Sequence, residues 1–151
     1  MNVKKPFLYP LAQLQPSQLY ISEAKLADVL SWWQPASLET LEPLPIKRLE
    51  DVSPPHNIIY TDGHTRALAA YRLGFAEVPV VWDEDELDWE AYRICVEWCL
   101  DVGIRTVADL EGRVVTPEQY DVLWLDRCRV MQAELEIRRC RDEKSCVSMD
   151  L

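Results

Sequence analysis

Apolar positions follow two rhythms along this chain, and the change from one to the other near Trp82 divides it. Over Ile58, Ile59 and Tyr60, and again over Val78-Pro79-Val80-Val81, apolar residues run without interruption between polar turns. Short runs of that kind predict buried strands. Between them lie small and apolar residues at helical spacing, so Asn57 to Trp82 predicts strand, turn, amphipathic helix, strand. Upstream, Pro45 to Leu49 predicts another strand, entered through a proline-punctuated connection and left through the Pro54-Pro55 turn. Gln18 to Ile21 is short and strand-like. Leu26, Val29, Leu30 and Trp33 then fall on one helical face, with Ser22 and Glu23 as the helix start.

Beyond Trp82 the helical period takes over. Asp88 to Val102 carries Trp89, Tyr92, Ile94, Cys95, Trp98 and Cys99 on its apolar positions, and Gly103 is placed to end that helix. A helical turn over Thr106 to Leu110 and a brief extended piece at Arg113-Val114-Val115 follow. Thr116-Pro117-Glu118-Gln119 predicts a capping-box start with proline at the first helical position. That last helix is expected to run through Leu135 to Arg139. The resulting plan is α+β: an extended arm over 1–16, a small mixed-sheet domain over 17–83, a helical subdomain over 84–139 and a frayed polar tail over 140–151. The tryptophan-rich helices must dock on the sheet domain or on a second copy, so a homodimer through the helical subdomain is an expectation.

Composition sharpens this plan. The chain has 151 residues, 48% of them hydrophobic, with six tryptophans, enough for a sizeable core and incompatible with disorder throughout. Neither a bilayer-spanning apolar run nor a signal-peptide pattern is present, so no membrane partner and a cytoplasmic location are expected. The five cysteines are an odd number, which argues against a disulfide framework. Cys95 and Cys99 share a helix face, but no second pair or histidine stands at zinc spacing, since His56 and His64 lie far upstream. No metal site is expected from them, and they read as small buried hydrophobes. The net charge of −10 is concentrated: residues 83–111 hold two basic and ten acidic groups, hence −8, while the flanking parts each sum to −1. A stand-alone DNA binder needs a basic face to neutralise phosphates, so that class is disfavoured. The acidic run reads as solvated.

Candidate chemistry gathers in the turn Asp62-Gly63-His64-Thr65-Arg66. Asp62 is placed to N-cap the helix, Gly63 to permit a tight bend and close approach, and Arg66 to face outward from the first turn. Free amides, the positive helix end and a guanidinium together suit a phosphate. The plainer reading is a capped turn with solvated His64 and Arg66, Asp62 as a cap alone, and Glu23 as a first-turn acid.

The stretch from Asp62 to Val80, with Asp62, Gly63, Arg66, Ala69, Ala70, Gly74 and Val78-Pro79-Val80, resembles the signature of the ParB/sulfiredoxin superfamily, and the resemblance does not reach the C-terminal third. It implies a ParB/sulfiredoxin-like sheet domain. The sulfiredoxin branch has a catalytic cysteine where this chain has His64, which removes that activity. The ParB branch carries a doubled arginine that is absent here. Asp62-Gly63-His64-x-Arg66 is nearest to the free-serine-kinase branch, whose catalytic glutamate falls at Glu23. That resemblance implies ATP, ADP or CTP, with Mg²⁺, resting on Gly63, His64, Thr65 and Arg66. In it Glu23 is the base, His64 contacts the transferred group, Asp62 binds substrate or metal, and a small-molecule hydroxyl is the acceptor. A nucleotide hydrolase is the other enzyme reading of the same resemblance, and the alternatives are a ParB-like DNA-associated regulator or nuclease-like protein and a catalytically inactive protein-interaction module.

Overall fold

The structure, a computed structural model, describes residues 5–149, with side chains as far as Glu143. Its architecture is α+β. Strands β1 (Phe7–Pro10), β5 (Glu77–Trp82), β3 (Leu44–Arg48) and β4 (Ile58–Tyr60) form one mixed sheet in that spatial order. β3 pairs parallel to β5 and antiparallel to β4, while β1 lies antiparallel to β5 on the edge. A second, two-stranded sheet pairs β2 (Ile21–Ser22) in parallel with β6 (Val114–Val115). Helices α1 (Glu23–Trp32), α2 (His64–Arg72), α3 (Trp89–Asp101), α4 (Pro117–Tyr120) and α5 (Asp126–Met149) complete the chain.

Strand alternation sorts the residues of β4 to opposite sides. Tyr60 joins the main core with Leu44, Ile46, Leu68 and Val80, whereas Ile59 turns to the other side to meet Leu49 and Val96 of α3. The main core runs without a break from Leu11 to Leu135. The expected sheet domain and helical subdomain therefore share one interior, and β6 reaches back to pair with β2.

The stretch read as an arm is integrated as well. Its described part pairs with β5 through β1, Leu11 and Leu14 are buried, and Gln15 bridges to Ile59. At the other end α5 continues to Met149, ten residues beyond Arg139 (149 − 139), so the expected frayed tail is helical as far as the description extends. The acidic run is not wholly solvated: Asp83 is buried, where its carboxylate accepts bonds from Thr61 Oγ1 (2.9 Å) and the Asp85 amide (3.0 Å).

Between α4 and α5, Asp121–Leu125 forms a π-helical turn, with the Asp126 amide donating to the Asp121 carbonyl. The capping box ahead of it forms as expected. The Gln119 amide donates to Thr116 Oγ1 (3.2 Å), and the Thr116 amide donates to Gln119 Oε1 (3.1 Å). Tyr120 and Trp124, at the two ends of this wide turn, both point into the core.

Candidate functional site

The sharp turn from β4 into α2 rests on Gly63, whose φ of +84° is a left-handed conformation that favours glycine. A Cβ there would come within 2.5 Å of Leu44 Cδ2 and 2.6 Å of an Arg66 guanidinium nitrogen. Gly63 is itself the residue capping α2, and the helix receives no side-chain cap. This corrects the expected role of Asp62. Because helical geometry begins only at His64, Asp62 stands one position too early, and its carboxylate instead accepts from the adjacent Gly63 amide at 2.8 Å. The amides of the first turn of α2 are thus left without a side-chain acceptor.

Arg66 folds back over Gly63. Its side chain is 17% exposed and pairs with Glu42 at 3.2 Å, but Glu42 is itself 77% exposed. A pair so open to water is worth at most about 1 kcal/mol, so a stronger anion can replace Glu42. The buried Arg66 Nε has no hydrogen-bond partner. The guanidinium is positioned at the turn without being consumed by an internal carboxylate.

His64 is only 4% exposed, unlike the solvated turn residue of the plainer reading. Its Nε2 accepts from the Ser17 amide at 2.9 Å, and its ring lies 4.0 Å from the Tyr60 ring, centroid to centroid. That bond assigns the ring proton to Nδ1. Burial, with a smaller push from the Arg66 charge, lowers its pKa to about 3. At neutral pH His64 is a neutral strut with one N–H left to donate.

The turn opens into a cleft of about 590 Å³, within the usual range for small-molecule sites. Asp62, Gly63, His64, Thr65 and Arg66 line one side, α1 supplies Lys25, Asp28 and Trp32, and Tyr120 closes the end. Lys25 lies 4.9 Å above the Tyr120 ring. The structure therefore gathers four of the expected binding residues, Gly63, His64, Thr65 and Arg66, together with Asp62. Glu23 is exposed on the first turn of α1 and is not in the lining. Sequence reasoning missed Lys25, Asp28 and Trp32, although their spacing places them on the α1 stripe beside the buried Leu26 and Val29.

Two cations and the carboxylates of Asp28, Glu42 and Asp62 face the cleft, so it is mixed in sign. Among the described residues no cluster of three or more His, Cys, Asp or Glu could hold a metal. Any Mg²⁺ would have to be bound chiefly by phosphate oxygens. Cys95 and Cys99 are buried and free, and burial pushes the Cys99 thiol up to about 12, consistent with small inert side chains.

These features define an α+β protein with a cleft of mixed charge at a glycine-capped helix start. No family model matches the chain. No curated protein matches it in sequence. Among solved structures, the chain is similar to the crystal structure of protein Atu1540 from Agrobacterium tumefaciens, at 14% identity and a TM-score of 0.49. That similarity covers 72% of this chain and 63% of the other, so the match spans a little under two thirds of that protein. No described helix is long and apolar enough to cross a membrane.

Proposed function

We propose that this chain binds the phosphate groups of a nucleotide in the cleft between α1 and the first turn of α2. One observation carries the reading: the first turn of α2 receives no side-chain cap, and the Arg66 guanidinium lies over Gly63, 2.6 Å from where a Cβ would stand. Backbone N–H groups at a helix start favour negative charge, and a planar guanidinium can bond two phosphate oxygens at once. Lys25 adds a second cation, and Trp32, half exposed on the lip, offers a face on which a base can stack. The likeness of Asp62-Gly63-His64-x-Arg66 to the ParB/sulfiredoxin turn points to the same ligand class, with ATP, ADP or CTP as the candidates. The carboxylates favour a magnesium-bound nucleotide over a bare one, because the metal offsets phosphate charge beside Asp28 and Asp62. The free thiols suit a reducing, cytoplasmic setting.

The test is thermal unfolding of the full chain with ATP, ADP and CTP, each with and without Mg²⁺. A ligand present at a hundred times its Kd stabilises by about 2.7 kcal/mol. Arg66→Ala is expected to weaken binding about tenfold or more, a loss of about 1.4 kcal/mol. Absence of a shift with all three nucleotides, or equal shifts in wild type and Arg66→Ala, overturns the proposal. Phosphoryl transfer is a narrower reading of the same site. Asp62 is the acid of the turn that lies in the lining, so Asp62→Asn is expected to abolish any turnover that Glu23→Gln leaves intact.

A further inference from the structure

Helix α5 has two apolar faces, and the fold uses one. Met131 and Leu135 are buried, Cys128 is half-buried, and Arg138 and Arg139 tie the same side to Glu90 and Asp88 of α3 at 2.6 and 2.8 Å. Away from that side Ile137 is 54% exposed and Val130, which also edges the groove beside Ile94 and Trp98, is 58% exposed, with Ala133 and Cys140 exposed between and beyond them. Val130 and Ile137 are one heptad apart, as are Ala133 and Cys140, so the four occupy the a and d positions of a coiled-coil seam. Towards its start the seam ends at Asp126, which pairs with Arg129. In the sequence the same positions continue to Lys144 and Val147.

The flanking charges decide what fits. Arg129 and Glu136 occupy g positions, while Glu134 and Arg141 occupy e positions. In a parallel, in-register pair each g residue faces the following e residue of the other helix. Arg129 then meets Glu134 of the second copy, and Glu136 meets its Arg141, so every such contact joins opposite charges. An antiparallel pair about the same centre would instead set Glu134 against Glu134, Glu136 against Glu136 and Arg127 against Arg141, with only Arg129 against Glu143 attractive, so like-charge repulsion disfavours it.

We propose that a second copy of this chain packs in parallel along the outer face of α5, giving a two-fold dimer held by Val130, Ala133, Ile137 and Cys140. Sedimentation equilibrium of the full chain is the test, and a dimer is expected. Ile137→Glu, at an exposed position, is expected to give a monomer with an unchanged circular-dichroism spectrum. Arg129→Glu is expected to weaken the dimer about tenfold, and adding Glu134→Arg to restore it. With Cys146→Ser in place, mild oxidation should link the two copies through Cys140, and Cys140→Ser should abolish the link. A monomer at high micromolar concentration, a dimer indifferent to Ile137→Glu, or a dimer that Cys140 fails to link would each overturn the proposal.

Discussion

Acid should loosen this fold through His64, by an amount that the structure sets. The imidazole is buried, its Nε2 accepts the Ser17 amide, and its pKa falls from 6.5 to about 3. Between those values the unfolded chain carries a proton on His64 that the folded chain refuses. Unfolding is therefore favoured as pH falls, and the stability contributed above pH 6.5 is lost on the way down towards 3. Each unit below 6.5 costs about 1.4 kcal/mol, so pH 4.5 removes about 2.7 kcal/mol. Other groups also titrate, so the measurement must be differential. His64→Gln supplies a non-titrating acceptor with similar reach, and urea unfolding of both proteins at pH 7.0 and 4.5 gives the comparison. Wild type should lose about 2 to 3 kcal/mol more than His64→Gln between the two values. Equal losses within about 0.5 kcal/mol would refute the argument, as would a nitrogen NMR spectrum showing imidazolium at pH 5.

Gly63→Ala should destabilise by about 1 to 3 kcal/mol, since the left-handed φ and the 2.5 Å approach to Leu44 are both intolerant of a Cβ; urea midpoints measure it. The same substitution should reduce nucleotide affinity more than Arg66→Ala does, because it displaces the guanidinium and obstructs the amides together, as calorimetric titration would show. Tyr60→Phe removes a buried hydroxyl that has no hydrogen-bond partner. It should be neutral or stabilising by up to about 1 kcal/mol, and a loss beyond about 1 kcal/mol in urea unfolding would reveal a missing partner. Arg72 bonds Glu111 through two nitrogens, at 2.8 and 2.9 Å, yet both groups are more than a third exposed. Arg72→Ala should therefore cost less than about 1 kcal/mol, with the difference vanishing in high salt.

How much of this was legible in the sequence depended on the range of the signal. Ile58–Tyr60, the α1 face of Leu26, Val29 and Trp33, and the Thr116–Gln119 capping box are local patterns, and the structure reproduces them. The pairing of β2 with β6 joins segments about ninety residues apart, and two-residue strands leave no periodicity to read. β1 was hidden by Pro6 and Pro10, which mark an extended arm as readily as an edge strand. Asp62 failed as a cap because the preference for aspartate there is real, but the φ of Gly63 shifts the helix start by one residue. The burial of His64 was invisible for a similar reason, since its partner is a backbone amide, which no side-chain pattern reports. The cleft kept the turn and holds Lys25 and Asp28 of α1 in place of Glu23, which stands outside the lining.

The π-turn at Asp121–Leu125 carries a consequence for how this chain tolerates change. It holds one residue more than an ordinary α turn, and the helix beyond it keeps the phase it would have without that residue. Excising one of its five residues would let the hydrogen-bonding pattern relax to the ordinary α repeat with α5 facing as before, so Met131 and Leu135 would still point inward and the stripe through Val130 and Ile137 would stay in line. The regular part of α5 has no such slack: removing one residue there would turn everything beyond it by about 100°.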